Sequence, residues 1–270
     1  MEPVYSRDEC IAAIRDYYTF LTTMFMDSAF IIEPPQDGWP NITPEATQGL
    51  GKTDAVIDLL RHLPYIVSKP YSNHPEGLPG GTFIDWKHVI EKLHNGEAHP
   101  ENELLASEGT EDQFDGKIPA HCIGLVHGGL LMGNEEPDVI LLDTSSGVVY
   151  WMDCPAKVRE TASPQPSEDE EIRWGPCWPI RHFFEMLKNQ FRQLNFMAKD
   201  ANDVIDIWTK DTGYPGPIPE GFTDTIQAIY REHGWPDVAR YQKDNCLTDI
   251  KKELGEKYPE HHLYYSRCST

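Results

Sequence analysis

The sequence predicts an α+β fold, in which a small antiparallel sheet in the middle of the chain is packed by N-terminal and C-terminal helices. Amphipathic helical periodicity begins near residue 7 and returns after Pro179, whereas the centre, about 118–152, contains short apolar runs. This order differs from the strand–helix alternation of a parallel α/β fold. At 270 residues the chain can bury a sizeable core, and we predict a single domain over residues 1–270.

Three helices are predicted before the sheet. Ser6 and Glu9 form a capping box, and apolar residues then recur at helical spacing over about 7–26. The next two helices are predicted over about 54–63 and 85–94. The stretch that follows them, about 97–117, is rich in Glu and Asp, and we predict an acidic surface loop there.

The centre of the chain predicts a hairpin. Residues 139–142 and 148–152 are apolar runs typical of buried strands, and residues 143–147 between them have the composition of a turn. A second acidic loop, about 159–173, is predicted to be a mobile excursion because it combines Pro, Ser and Glu.

The C-terminal part, about 179–258, is predicted to be helical. Pro179 suits the first position of a strongly amphipathic helix that extends to Leu194. Three weaker helices are predicted after it, over about 201–211, 223–233 and 236–256.

Charge and cysteine content argue against several classes of function. Asp and Glu number 44 against 23 for Lys and Arg, and the net charge of −21 would repel phosphate backbones and anionic membranes. No run of about 18 apolar residues is present to span a membrane. The six cysteines are scattered, and the first ten residues lack the apolar run of a signal peptide. We therefore predict a cytoplasmic protein that binds neither nucleic acid nor membrane.

One segment resembles a phosphate-binding loop. Gly49 to Thr53 matches the end of that pattern, but Ala46 stands where its first glycine belongs, and the residues before it are polar. We interpret Thr53 instead as the N-cap of a helix that begins at Asp54.

Histidines are the main candidates for catalysis. His121 and His127 are six residues apart in an apparent strand region, so an even spacing places both on one face. His62 could join them only if the fold brings it close. Residues available to complete a metal or acid–base cluster are Cys122, Asp143 and Cys154. No spacing typical of a metal site is present, and we predict no metal and no cofactor.

The chain has seven tryptophans, three of which precede proline. Tryptophan at the junction of two elements commonly packs a corner of the core, but aromatic clusters also line binding grooves. For a binding function we predict that these residues lie on a surface or groove: Trp39, Trp86, Asp143, Tyr150, Trp151 and Asp153.

Residues 139–194 resemble the SUKH superfamily, which includes fungal cell-wall-assembly regulators and bacterial toxin-immunity proteins. The resemblance lies in a strand that ends in Asp143, a turn that contains Gly147, a strand with Trp151 and Asp153, and a later amphipathic helix. It implies an α+β domain that recognises other proteins through one face of its sheet. It does not account for the helices after residue 200, and the chain as a whole resembles an uncharacterised group common in filamentous fungi.

Two function classes follow from these observations. The first is a non-enzymatic binding or regulatory protein that recognises a protein partner through an aromatic–acidic face, with a basic partner favoured by charge. The second is a cofactor-independent cyclase, isomerase or lyase with an apolar pocket, in which the acid–base residues are His62, His121, His127 and Asp143. A cationic small molecule is a further candidate ligand. An enclosed cavity lined by those groups favours the enzyme, and a filled core with an open acidic face favours the binding protein.

Overall fold

A computed structural model describes residues 4–68, 74–109, 118–128, 139–163, 175–210 and 216–261. It shows the predicted α+β class, with small antiparallel sheets among helices. The helices in these residues are α1 (Arg7–Met24), α2 (Pro44–Thr47), α3 (Asp54–His62), α4 (Trp86–His94), α5 (Pro100–Glu108), α6 (Ala156–Arg159), α7 (Ile180–Arg192), α8 (Phe222–Glu232) and α9 (Lys243–Lys257).

The strands in the same residues form one four-stranded sheet and three two-stranded sheets. They are β1 (Ile31–Ile32), β2 (Tyr65–Ile66), β3 (Gly81–Phe83), β4 (Cys122–Gly124), β5 (Val126–Gly128), β6 (Ile140–Asp143), β7 (Val148–Trp151), β8 (Cys177–Pro179), β9 (Phe196–Ala198) and β10 (Val204–Asp206).

The predicted helices α1, α3 and α4 are confirmed, and their caps explain where they begin. The Ser6 hydroxyl accepts the N–H of Glu9 at 3.4 Å, and the Thr53 hydroxyl accepts the N–H of Val56 at 3.4 Å. Each side chain satisfies a backbone donor that has no partner within the first turn. Thr53 is therefore a helix cap, as the sequence predicts.

Three C-terminal and loop predictions need correction. The predicted acidic loop over 97–117 contains α5, which starts at Pro100. The acidic residues in its first turn interact favourably with the positive end of the helix dipole. The helix predicted over 201–211 is wrong, because residues 204–206 form β10 and pair with β9. The last helix begins at Lys243 rather than near 236. Most of the predicted excursion over 159–173 lies outside the described residues.

The central sheet has the strand order β4–β6–β7–β8, and every pair is antiparallel. Its register places Cys122 opposite Asp143 and Leu142 opposite Val149. Alternate residues therefore point to opposite faces. We call one the core face, formed by Ile123, Ile140, Leu142, Val149, Trp151 and Trp178. We call the other the second face, formed by Cys122, Leu141, Asp143, Val148, Tyr150 and Cys177.

Helix α7 covers the core face and joins it to α1. The ring of Phe183 lies 6.3 Å from Trp151 and 5.9 Å from Trp178, between ring centroids. On the same helix, Phe184 lies 5.1 Å from Tyr17 of α1. These rings belong to one large apolar cluster that links the sheet to the helices before and after it. Within the described residues, no helix has the length and apolar character needed to cross a bilayer.

Candidate functional site

The predicted binding face is largely buried. Trp39, Trp86, Tyr150 and Trp151 are between 2% and 7% exposed. The prediction that they line a surface or groove is therefore wrong. Tyr150 and Trp151 are neighbours in β7, so they point to opposite faces of the sheet, and both faces are covered.

Hydrogen bonds explain why two of these tryptophans are buried. The indole N–H of Trp39 donates to the carbonyl of Leu63 at 2.8 Å, and that of Trp86 donates to the carbonyl of Gly124 at 3.0 Å. A buried indole requires such an acceptor for its one donor. Both residues join segments that are distant in sequence, which is a packing role.

The acidic members of the predicted face differ from each other. Asp153 is exposed just after β7, whereas Asp143 is 3% exposed at the end of β6. Asp143 Oδ1 accepts the N–H and the hydroxyl of Ser145 at 2.6 and 2.7 Å, and Oδ2 accepts the hydroxyl of Ser146 at 2.7 Å. Three donors from its own turn thus stabilise the buried carboxylate.

Of the three candidate histidines, the structure places His121 beside Asp143. His62 lies on α3, with Nδ1 2.8 Å from the carbonyl oxygen of Asp58. His127 lies in β5, opposite Thr82 of β3, and burial lowers its pKa. His121 and Asp143 are therefore neighbours, whereas His62 on α3 and His127 in β5 make their own contacts elsewhere.

His121, Cys122 and Asp143 form a cluster that we call the His121 cluster. Their potential ligand atoms all lie within 4.8 Å of one another, and His121 Nε2 is 3.6 Å from Asp143 Oδ1. The β4–β6 register sets Cys122 opposite Asp143, while Thr144 donates its N–H and hydroxyl to the carbonyl of His121 at 2.9 and 2.7 Å. The hairpin turn therefore fixes the start of β4 and brings the three side chains together.

The surroundings of Cys122 keep its thiol protonated when no ligand is present. Burial raises the pKa of the Cys122 thiol, and the Asp143 carboxylate adds to that shift, while Lys52 opposes it. Lys52 itself is bound to Glu108 at 2.7 Å, and both side chains are about 5% exposed or less. Burial raises the pKa of Glu108, and Lys52 partly offsets this effect. Lys52 is thus occupied by a buried ion pair.

Another buried carboxyl lies outside the central sheet. Glu76 Oε2 accepts the N–H of Val204 at 2.7 Å, beside the ion pair between Lys199 and Asp203. Burial raises the pKa of Glu76 to about 8, and the Asp203 carboxylate contributes to the rise. Glu76 is therefore largely protonated at neutral pH.

Two open grooves lie among the C-terminal elements. The first, the α7 groove, has a volume of about 680 Å³ and is lined by side chains of α7, by residues on either side of that helix and by Trp208. The second, the α8–α9 groove, has a volume of about 650 Å³. Both volumes fall in the range of ligand-binding clefts. Neither groove is lined by His62, His121, His127 or Asp143.

Four carboxylates and two lysines, Lys252 and Lys257, line the α8–α9 groove together with apolar side chains. The residues of its acidic rim are Asp224 and Glu232 of α8 and Asp249 and Glu253 of α9. The apolar part of its lining contains Ala228, Ile229 and Tyr258. The Tyr258 ring packs at 5.2 Å from Phe222, and its hydroxyl donates to the carbonyl of Glu220 at 3.3 Å, which fixes the aromatic wall.

The rim carboxylates fall into two classes. Asp249 is 2.9 Å from His233 Nε2, and Glu253 is 2.6 Å from Lys257. Within the described part of the chain, Asp224 and Glu232 take part in no ion pair. Both side chains are exposed, and they lie on the same side of α8 because they are eight residues apart.

The sequence alone does not reveal this groove. In a chain with 44 acidic residues, a pair of carboxylates carries little information. A usable signal was the spacing of Asp224 and Glu232 on one helix and of Asp249 and Glu253 on the next, which places the two carboxylates of each pair on one side of their helix. Only the packing of α8 against α9 shows that the two pairs face one groove.

No family model, curated protein or solved structure matches this chain. The resemblance of residues 139–194 to the SUKH superfamily stays a prediction. The functional conclusions below therefore depend on the geometry of the described residues.

Proposed function

We propose that this chain is a non-enzymatic binding protein that recognises a basic segment of a protein partner in the α8–α9 groove. The observation that carries the proposal is a groove lined by four carboxylates, two lysines and apolar side chains in a protein of net charge −21. The proposal retains the aromatic and acidic chemistry expected from the sequence, but it moves the binding site from the central hairpin to the C-terminal helices.

The chemistry of the groove suits Lys and Arg side chains. Their aliphatic stems pack on apolar surface while their charged ends stay near water. Here Ala228 and Tyr258 offer that surface, and Asp224 and Glu232 offer carboxylates that have no ion pair within the described residues. A basic segment would therefore gain contacts without first breaking an ion pair of the protein.

The overall charge supports the same partner class. A net charge of −21 attracts a basic partner over a distance of about one Debye length, roughly 8 Å at physiological salt. Such attraction mainly increases the association rate. Binding that depends on it weakens as salt is added.

Neither of the two described grooves matches the alternative, a cofactor-independent enzyme. An acid–base enzyme requires its groups to line one pocket. The two grooves are lined by other residues, and His62 and His127 have partners on separate elements. This geometry favours the binding protein.

The proposal is tested with a fluorescently labelled helical peptide of Lys and Ala, titrated against the full chain and followed by anisotropy. We expect the variant Asp224→Asn/Glu232→Gln to bind at least about tenfold more weakly than the wild type, which corresponds to about 1.4 kcal/mol. A peptide in which Glu replaces Lys should not bind.

The matched control removes the same charge elsewhere. Glu91 and Glu101 are exposed helical carboxylates on α4 and α5, so Glu91→Gln/Glu101→Gln changes the net charge equally. We expect this control to stay within about twofold of the wild type at 0.15 M salt, where distant charges are screened. Equal losses in both double variants would show general charge attraction and contradict a groove.

A further inference from the structure

We propose that His121, Cys122 and Asp143 bind a transition-metal dication of the zinc class. Two independent observations carry this proposal. The three potential ligand atoms lie within 4.8 Å of one another. In addition, His121 Nε2 is buried and has no hydrogen-bond partner within the described residues. The site is separate from the α8–α9 groove and does not depend on it.

The distance between the two nearest ligand atoms suits a shared ion. His121 Nε2 and Asp143 Oδ1 are 3.6 Å apart, which is too long for a good hydrogen bond. Two ligands bound at about 2.0–2.2 Å to one tetrahedral ion stand roughly 3.3–3.6 Å apart. A small movement of the Cys122 side chain would complete the set.

The donor types select the class of ion. Imidazole nitrogen, thiolate sulfur and carboxylate oxygen together are a ligand set of zinc and of cobalt as its substitute. Calcium and magnesium prefer sets made only of oxygen atoms. Three protein ligands leave one tetrahedral position for water or for a donor from a bound molecule.

The fold holds two of the ligands firmly. Cys122 and Asp143 are paired across β4 and β6, and both are nearly inaccessible to solvent. The hydroxyls of Ser145 and Ser146 orient the Asp143 carboxylate, as outer hydrogen bonds do around metal ligands. The His121 side chain is 31% exposed, so an ion would enter from the side of this residue.

A purely structural role explains only part of the cluster. The bonds from Ser145 and Ser146 account for a buried Asp143 as the anchor of its turn. They do not account for His121 Nε2, which is a buried polar atom without a hydrogen-bond partner in the described residues. Such an atom is costly to bury unless a ligand or ion satisfies it.

Binding exchanges one proton for one ion. The dication forms a bond to Cys122 Sγ, and the thiol proton is released to solvent. We therefore expect about one proton to be released for each ion bound.

The test uses the full chain, reduced and stripped of metal, and titrated with Co²⁺ and then with Zn²⁺. We expect one Co²⁺ per chain and a thiolate-to-cobalt charge-transfer band in the near ultraviolet, which one equivalent of Zn²⁺ abolishes. Cys122→Ser should lose the band, and His121→Gln should bind at least about 100-fold more weakly.

Two controls keep the result specific. Cys177→Ser removes another buried thiol of the second face, and His127→Gln removes another histidine near the sheet, so both should keep the band. Since His121 is partly exposed, His121→Gln is expected to fold, and its thermal unfolding checks this. A wild-type chain that shows no band, or a band that persists in Cys122→Ser, would overturn the proposal. If the peptide does not bind in the α8–α9 groove experiment, the metal proposal is unaffected, because the two sites are separate.

Discussion

The two faces of the central sheet are built from the same strands, yet they differ in chemistry. The core face carries only apolar residues and joins a cluster that extends into α1 and α7. The second face is equally buried, but it includes Asp143, Cys122 and Cys177 together with the Tyr150 hydroxyl. Its apolar cluster is also much smaller.

This difference shows that one face of a sheet can provide the apolar contacts that stabilise the fold while the other face carries polar and ligand-bearing side chains. The core face supplies large apolar contacts, which provide most of the stabilisation of a fold. The second face also carries a group that is costly to bury, the Asp143 carboxylate, which is compensated by hydrogen bonds from Ser145 and Ser146. The His121 cluster lies on this second face.

The largest expected effect concerns the buried ion pair near the second face. Lys52→Met leaves Glu108 buried without its partner, so we expect a loss of about 3–5 kcal/mol in the free energy of unfolding. Lys52→Met/Glu108→Leu should recover most of the loss. Urea denaturation measures both.

An exposed ion pair serves as the control for that experiment. Lys157 and Glu160 are 2.9 Å apart, but their side chains are 66% and 63% exposed. We expect Lys157→Met to change the stability by less than about 1 kcal/mol. If Lys52→Met lowers the free energy of unfolding no more than Lys157→Met does, the ion pair between Lys52 and Glu108 is not buried in the folded protein.

Two adjacent leucines compare the faces directly. Leu142 points to the core face and Leu141 to the second face, and both are at most 1% exposed. Replacement of a buried leucine by alanine costs about 2–5 kcal/mol. We expect Leu142→Ala to fall near the upper end and Leu141→Ala near the lower end, because the smaller cluster collapses more easily. Equal losses in urea denaturation would remove the distinction between the faces.

A third experiment concerns Glu76, the buried carboxyl outside the central sheet. Burial raises the pKa of Glu76 to about 8, so the folded protein binds a proton that the unfolded chain releases near pH 4.5. The stabilisation is complete at low pH and is lost as the pH rises through about 8. The slope is about 1.4 kcal/mol per pH unit between these values.

The variant Glu76→Gln isolates this contribution. It keeps a side-chain acceptor for the Val204 N–H but cannot titrate. We therefore expect the wild type to lose stability relative to Glu76→Gln between pH 5 and pH 8, as measured by urea denaturation at each pH. Parallel curves for the two proteins would show that Glu76 ionises normally.

The smallest expected effect tests the turn that holds Asp143. Ser146→Ala removes one of three donors to the carboxylate, and we expect a loss of about 1–2 kcal/mol in the free energy of unfolding. Thr248→Ala on α9 is the control, because its exposed hydroxyl bonds only a backbone carbonyl of its own helix. Its loss should stay below about 0.5 kcal/mol, and a similar value for Ser146→Ala would show that the turn does not depend on this bond.

Much of the fold was predictable where local signals agree. The hairpin over 139–152 follows from two apolar runs and a turn, and α1 and α3 follow from caps and periodicity. Helix α5 was missed because its sequence has little apolar periodicity, although Pro100 and the acids after it are start signals. The β9–β10 hairpin was missed because residues 204–208 also fit helical spacing, and strand pairing decided otherwise.

The candidate sites depend on information that a single sequence lacks. The sequence names Cys122 and Asp143 as available partners of His121, but only the β4–β6 register places the three together. Burial on both faces cannot be read from the alternation in β7, which is why Tyr150 and Trp151 were expected on a surface. The α8–α9 groove depends on how two helices pack.

Four buried tryptophans and the half-buried Trp208 should respond differently to a fluorescence quencher. The indole N–H groups of Trp39, Trp86, Trp178 and Trp235 all donate to backbone carbonyls inside the protein. Acrylamide in solution cannot reach such rings, so a red shift in their emission reports unfolding. Trp208 is half-buried at the edge of the α7 groove, and quenching of its emission reports access to that groove while the protein stays folded.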